Sequence, residues 1–593
     1  PAPRLRFSLC PVAFLSFADD RLESFLPVAF ELADFEHVGD GDREGVIRAA
    51  VRGFRARDEI GGGAPRPEAG AVPDVGDAGP RAGGQRALDD RAQVGSDVVR
   101  AHADLAPGPY RVTLAARGYG PKIVHVAVSA DRPHQFRLLK DGLLGFMWPK
   151  AVRAGERSEF RVHSDEAYKL ELFRYGWKKE LVRSIGWYDE HGPRATMQVS
   201  PDGDYTQSGI RWNSQGYTSP THKQYIEAPA RSGLYYLHAR GESGTFFSFP
   251  WIVAPKEPSA DVAVLAANIN WNAYNNFGGR SNYIHADGFV PTPTVNARYE
   301  LERYTDHRHL LFSAPDYPPL SFDRPEPINF IPEHDKITDP LEGRSACHVA
   351  PAEWRTVGWL ERADYDYDLY AETQLDSGLL DLDRYKVLII SAHPEYWSAK
   401  MYYKLKEWVF ERGGKLVYLG GNGLNCEVEF IDEYTMKVRN GDQGGGFSHL
   451  QKIGKESRFD LFHESEAQLL GVTCSETGIM TGAPYRALKG DHWVFAGTGL
   501  KDGDIFGENC LHMRCPGGAS GHETDKMTVS SPAGCELLAK GLNPDDGGAE
   551  IVYHRTDSGG EVFSVGSISY PSALPVDDAI SRITANVLNR FLG

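Results

Sequence analysis

Lys386-Val-Leu-Ile-Ile-Ser-Ala-His-Pro-Glu-Tyr-Trp397 leads into Ser398 to Arg412, and then into Gly413-Gly-Lys-Leu-Val-Tyr-Leu-Gly-Gly-Asn-Gly423. The run from Lys386 to Ser391 is continuously apolar at its centre, as strands buried on both faces are. In Ser398 to Arg412, Tyr402, Leu405, Trp408 and Val409 fall on one helical face, and Gly413-Gly414 stops the period. Lys415 to Gly420 then supplies another strand. Strand, helix and strand at this spacing predict a right-handed parallel unit, whose functional groups collect at the carboxyl ends of the strands.

Working outward, Val262-Ala-Val-Leu-Ala-Ala267 is a second buried strand of the same kind, so an α/β domain is expected over 258–593. Before it the pattern differs. Glu159 to His163, Lys169 to Arg174, Leu234 to Ala239 and Phe246 to Val253 are short alternating segments between turn-rich stretches, and Pro255 to Pro258 reads as a linker. Tyr110 to Leu114 and Ile123 to Val128, broken at Gly118 to Pro121, have the pattern of a hairpin. A β-sandwich region of the immunoglobulin or lectin kind is expected over 106–257. Residues 1–105 are poorly patterned. Arg21 to Arg57 has roughly helical spacing, so partial helix is expected there, and Gly61 to Gly95 reads as linker. The fold class is therefore α+β and multidomain, as a length of 593 residues at about 150 per domain also requires.

Hydrophobic residues at 41% and charged residues at 24% are those of a globular chain. Lys+Arg 64 against Asp+Glu 81 leaves a net charge of −17, which disfavours a nucleic-acid partner. No apolar run approaches the roughly 20 residues of a membrane span, so no membrane partner is expected. Arg4 and Arg6 before Phe7 to Phe17 imitate a signal peptide, but Ala18-Asp19-Asp20 offers no small-x-small cleavage site. The 7 cysteines, thinly spread, suit reduced thiols and a cytoplasmic location.

His393-Pro-Glu-Tyr-Trp397 and Gly420-Gly-Asn-Gly423 both follow strands directly, so His393 and Glu395 are expected to share a crevice while the glycines admit a ligand to backbone N–H groups. Trp271-Asn-Ala-Tyr-Asn-Asn-Phe-Gly-Gly-Arg-Ser-Asn-Tyr283 is rich in Asn, aromatics and Gly for a plain connection, and Gly517 to Asp525 is a glycine-rich loop ending in acids. The chemistry is narrowed by what is missing. Glutaminase-like domains place a nucleophilic Cys on the turn after a strand, where this chain has Asn422, and neither a G-x-S-x-G elbow nor a P-loop occurs. His-Glu-x-x-His is absent, Cys510 and Cys515 lack a second pair to complete a zinc site, and Cys426 reads as structural. A metal-activated water held by oxygen ligands remains, and tyrosinates with carboxylates suit ferric iron.

Together, Trp271 to Tyr283, Ser321-Phe-Asp-Arg-Pro325, Ser391 to Trp397, Tyr418 to Gly423 and Ser520-Gly-His-Glu-Thr-Asp525 resemble the large (beta) subunit of N,N-dimethylformamidase. The resemblance runs from about Tyr110 to Gly593 and implies a glutamine-amidotransferase-like α/β domain preceded by β-sandwich domains. It implies hydrolysis of N,N-dimethylformamide or similar small N-substituted amides to formate and amine, by mononuclear Fe(III) held by two tyrosines and a glutamate. Glu395 would be the carboxylate ligand and Tyr274 one tyrosine. Tyr317 is the choice for the other, with Tyr304 and Tyr283 as competitors. His393 would support Glu395, Asn422 would orient substrate or water, and Glu523 would be the acid/base. A small helical partner subunit is implied as well. The rival reading is a non-catalytic relative that binds carbohydrate or protein.

Overall fold

The computed structural model describes residues 143–164, 166–188, 224–275, 281–282, 319–333, 348–441 and 446–593, the side chains of 163 and 446–448 excepted, and seven backbone strands between 4 and 138. Two compact units result, one of 1–119 with 126–140 and one of 120–125 with 141–593. In the first unit, Arg4–Pro11 pairs with Val99–Asp104 and His134–Leu138. The start that imitates a signal peptide is thus a strand over those residues. Gly108–Ala116 and Tyr119–Val128 are adjacent strands, as the hairpin pattern predicts. Within 21–57, where the spacing predicts partial helix, Phe35–His37 and Val46–Ile47 are strands, because they pair with each other and Phe35–His37 pairs with Gly108–Ala116; the remainder lies outside the described residues.

The second unit begins with two packed sheets. Tyr225–Glu227, Arg157–His163 and Leu144–Trp148 form one; Lys179–Tyr188, Tyr168–Tyr175, Gly233–Gly241, Phe246–Ala254 and Ala151–Arg153 form the other. The Trp251 indole donates to Ser158 Oγ at 2.9 Å across the interface. Gly145 has no room for a side chain there, since a Cβ would lie 2.6 Å from the Phe249 ring.

The larger part is a nine-stranded mixed sheet. Its elements in chain order are β1 (Val262–Ala266), α1 (Asn268–Tyr274), α2 (Ala350–Arg362), β2 (Asp368–Ala371), α3 (Glu372–Ser377), β3 (Val387–Ala392), α4 (Ala399–Arg412) and β4 (Lys415–Gly420). Then come β5 (Tyr485–Ala487), β6 (Ile505–Phe506), β7 (Thr524–Lys526), β8 (Glu536–Gly541), β9 (Glu550–Arg555), β10 (Glu561–Ser564) and α5 (Asp578–Leu592). The strand order is β2-β1-β3-β4-β10-β9-β8-β5-β6. The first five run parallel and the rest continue antiparallel. β7 lies outside this sheet, paired with Thr473–Ser475.

Continuous apolar strands are what a sheet covered on both faces needs. Val262, Val264, Val387, Ile389, Val417 and Leu419 point into one core with Trp354 of α2 and Ile583 and Val587 of α5. Ala263, Leu265, Leu388, Ile390, Leu416 and Tyr418 point into the other with Leu405, Trp408 and Val409 of α4. Ser398 caps α4 by accepting from the Met401 amide at 3.1 Å, and Gly413 ends it in the left-handed region at φ 76°. The β3–α4–β4 unit is therefore present as the opening stretch predicts. Among the described residues no helix is long and apolar enough to cross a membrane.

Candidate functional site

At the carboxyl ends of β1, β3 and β4 the chain turns sharply. Ala392 and Asn422, both non-glycine, sit in the left-handed region at φ 62° and 48°. That conformation is unfavourable for a side-chain-bearing residue, and such strain gathers at functional sites. These turns carry His393 and Glu395 from one strand and Asn422 from the next, while Tyr274 is the last residue of α1.

The four come together with Glu523. Tyr274 Oη donates to Glu395 Oε2 at 2.7 Å and lies 2.8 Å from His393 Nε2. His393 Nε2 is 3.1 Å from Glu395 Oε2 and 3.6 Å from Glu523 Oε2. Asn422 Nδ2 donates to Glu523 Oε2 at 2.8 Å. The Asn422 Oδ1 atom is buried and has no hydrogen-bond partner among the described residues. Glu395 is almost fully enclosed, whereas the Glu523 side chain keeps 19% of its surface exposed.

The tautomer of His393 follows from its other nitrogen. Nδ1 faces the Gly421 carbonyl at 3.0 Å, and a carbonyl only accepts, so Nδ1 carries a proton. Burial alone would lower this imidazole, but Glu523, Glu395 and the Gly421 carbonyl together raise it to about 9. Burial likewise works upward on Glu395, yet the hydrogen bond and charge of His393 hold that carboxyl below its ordinary range. Burial dominates at Glu523 and, with the Glu395 charge, outweighs the pull of His393, leaving its pKa raised. One imidazolium thus serves two carboxyl groups of opposite tendency, the arrangement that separates an acid/base from a fixed anion.

The loop after β4 departs from its expected use. Its amides do not face a ligand: Gly421 N donates to Ala392 O at 3.2 Å, Asn422 N to Asp525 Oδ1 at 2.7 Å and Gly423 N to Tyr418 Oη at 2.8 Å. The glycines serve close packing instead, since a Cβ at Gly421 would lie 2.5 Å from the Glu523 carbonyl.

Helix α1, which ends in Tyr274, lacks a cap of its own; its N-cap is Ala267 and its first turn has no acid. Two buried glutamates from elsewhere supply the acceptors. Glu353 of α2 accepts from Ala267 N at 3.1 Å and the Trp271 indole at 2.6 Å. Glu372 of α3 accepts from Ile269 N at 3.2 Å and the Trp397 indole at 2.8 Å. At the other end, Arg324 of the Ser-Phe-Asp-Arg-Pro motif donates to the Asn272 carbonyl at 3.0 Å. A helix end takes acids at its start and bases at its finish.

Sequence reasoning missed these caps and a row of buried histidines. The His348 ring stands edge-on to Tyr274, with centroids 4.6 Å apart, and 5.4 Å from His522, whose Nδ1 is 3.2 Å from His512 Nε2. His512 Nδ1 accepts from the Cys515 amide at 3.1 Å. The only available signal was His522 inside the motif 520–525. Cys510 is a free thiol, and Cys426 and Cys515 are both buried.

Tyr317, Tyr304 and Tyr283 all lie outside the described residues. Among the described residues no group of three His, Cys, Asp or Glu side chains is arranged as a metal site. Tyr274 Oη and Glu395 Oε2 nevertheless converge to 2.7 Å as hard oxygen donors. In kind and placement they suit a hard cation, as two of the three ligands expected.

The family described as N,N-dimethylformamidase beta subunit-like, C-terminal, matches residues 169–583. The chain belongs to this family. All five gathered residues fall inside that span. Within the dimethylformamidase beta subunit-like family, the N,N-dimethylformamidase beta subunit of Paracoccus aminophilus is 26% identical over 424 residues, covering 61% of this chain and 52% of that protein. The N,N-dimethylformamidase beta subunit of an Alcaligenes species is 25% identical over 426 residues, with the same shares. The match spans about half the length of these curated relatives.

Proposed function

We propose that this chain is an amidohydrolase that cleaves N,N-dimethylformamide, or a similar small N-substituted amide, to formate and an amine. The observation that carries the reading is the convergence of Tyr274, His393, Glu395, Asn422 and Glu523 from four separate segments of the region shared with the dimethylformamidase beta subunits. The donors Tyr274 and Glu395, with Tyr317 as the third, would hold a mononuclear ferric ion. Such an ion, when bound, supplies polarisation of the amide carbonyl and acidification of a water.

The remaining work falls to the chain's own side chains. Hydrolysis removes a proton from water and delivers one to the departing amine nitrogen. Glu523 does both, because it is the partly exposed carboxyl of the pair and its pKa is raised. A tertiary amide has no N–H, so the unpartnered Asn422 Oδ1 is directed at a hydrogen of the water while its Nδ2 steadies Glu523. His393, fixed by Gly421, keeps Glu395 ionised and balances the charge on Glu523 as the proton comes and goes. The finer fold assignment belongs to the same reading: an immunoglobulin- or lectin-like sandwich over 106–257 and a glutamine-amidotransferase-like domain over 258–593. So do a cytoplasmic location and assembly with a small helical subunit, supported by the relatives' being named beta subunits.

The test is Glu395→Ala against the wild-type chain, with metal analysis, a visible spectrum and turnover of N,N-dimethylformamide. The wild type should be coloured by ferric tyrosinate, and the variant should lose iron and about a thousandfold or more in kcat/KM, the several kcal/mol a Lewis acid contributes. A colourless, iron-free and inert wild type, or a variant with full activity, overturns the reading.

A further inference from the structure

Asp525 stands two residues beyond Glu523 on β7 and has no part in the chemistry above, yet it is 1% exposed and fully engaged. Its Oδ1 accepts from the Asn422 amide at 2.7 Å, and its Oδ2 accepts from the Tyr418 hydroxyl at 2.9 Å. Tyr418 Oη in turn accepts from the Gly423 amide at 2.8 Å. The two central amides of the 420–424 loop are thus tied to one carboxylate, one directly and one through a phenol. β7 is itself anchored, with Asp525 N donating to Gly566 O at 2.8 Å.

Two features show what this tether acts on. Asn422 is held at φ 48°, a conformation unfavourable for an L-residue, though less so for Asn than for most. Gly423 is pressed against the tyrosine, where a Cβ would lie 2.6 Å from its hydroxyl. Released, the turn relaxes toward ordinary backbone angles, and the carboxamide swings off Glu523. Accepting from Asn422 and from Tyr418 with two different oxygens is natural for a carboxylate. An amide in its place turns an NH2 group toward one of them.

We propose that Asp525, together with Tyr418, is a positioning residue that clamps the left-handed turn at Asn422 and so keeps its carboxamide on Glu523. The functional half of this statement rests on the hydrolase reading; the structural half does not. Kinetics on N,N-dimethylformamide at about pH 8.5, above the value of about 7 to which burial pushes Asp525, are compared for wild type, Asp525→Asn, Asn422→Ala and the double variant. Asp525→Asn should lower kcat by roughly 10- to 100-fold, as misplaced catalytic groups do, while KM stays within about twofold. In the Asn422→Ala background the same substitution should cost less than about twofold, since its target is gone. Full additivity of the two losses, or an Asp525→Asn enzyme with undiminished kcat, overturns the clamp. If the wild type hydrolyses no amide, the hydrolase reading fails by itself and a crystal structure of Asp525→Asn decides. A turn that leaves the left-handed region and separates Asn422 from Glu523 supports the clamp, and an unchanged turn overturns it. Should Asp525→Asn not fold, Tyr418→Phe removes only the phenol's tie and takes its place in both arms, with kcat expected to fall about threefold or more.

Discussion

Helix α1 meets carboxyl groups at both ends, and the two sets live under opposite electrostatics. At its start, Glu353 and Glu372 face only neutral donors among the described residues, the indoles of Trp271 and Trp397 and the first amides of the helix. Burial therefore prevails: Glu353 is pushed up to about 8, and Glu372, with Glu353 as its neighbour, well above the ordinary carboxylate range. At the far end an imidazole stands between Glu395 and Glu523, and Glu395 is held low in spite of equal enclosure. The difference teaches that burial does not decide what a carboxyl group is for. A set of neutral donors makes a strut, and a cation shared between two acids makes a proton device.

That contrast is breakable at its strongest point by His393→Ala. Without the shared imidazole Glu395 is no longer kept ionised and Glu523 loses its counter-charge, so turnover of N,N-dimethylformamide should fall by about 10²- to 10⁴-fold, the usual worth of the acid–base assistance that depends on it. A loss under about threefold in steady-state kinetics would remove the distinction between the two sets.

The other set is broken by Glu372→Ala, which strands the Trp397 indole and the amides of Ile269 and Asn270. Urea unfolding should show a loss of about 3 kcal/mol or more, since each buried donor left unpaired costs about 1 to 3 kcal/mol. Stability equal to wild type would mean that α1 is held by something other than its borrowed caps.

The smallest effect sharpens the comparison through pH. Glu353 holds its proton up to about pH 8 in the folded chain, against an ordinary value of 4.5. Between those values only the folded state binds the proton, so this group's contribution is complete below the lower pKa and is lost as pH rises through the upper one. Glu353→Gln should flatten that descent, with the gap between variant and wild type narrowing by at least about 1 kcal/mol from pH 5 to 9. Unfolding curves at the two pH values measure it, and parallel curves for the two proteins would show that Glu353 is ionised throughout.

The parts of the molecule that could be read in advance are those whose signal is local. β3, α4 and β4 announce themselves by apolar runs and a glycine stop, and His393, Glu395 and Asn422 stand directly after strands. Tyr274 and Glu523 were reachable because each sits in a motif of unusual composition. What escaped is whatever depends on pairing across distance. Nothing around Glu353, Glu372 or His348 marks it as a neighbour of α1, and the tie from Tyr418 to Gly423 needs the loop to fold back on its own strand. The loop glycines by type alone suggest a ligand-facing turn, whereas their surroundings make them packing residues. The antiparallel half of the sheet was equally silent, because its short strands carry no long apolar run.

The order of the sheet has a consequence for how the chain is made. β10 comes later in the sequence than every other strand of the sheet, yet it lies between β4 and β9, with Lys415 opposite Glu561 and Tyr418 opposite Ser564. During synthesis the parallel half is complete up to β4 long before that partner exists, and β4 waits with an unpaired edge of apolar sequence. Such an edge is a template for pairing with the wrong strand, and closing so long a loop is slow. The turn after β4, and Asn422 with it, is thus backed by its final neighbour only once β10 has been made, so the closing of the α/β core is a late event in folding.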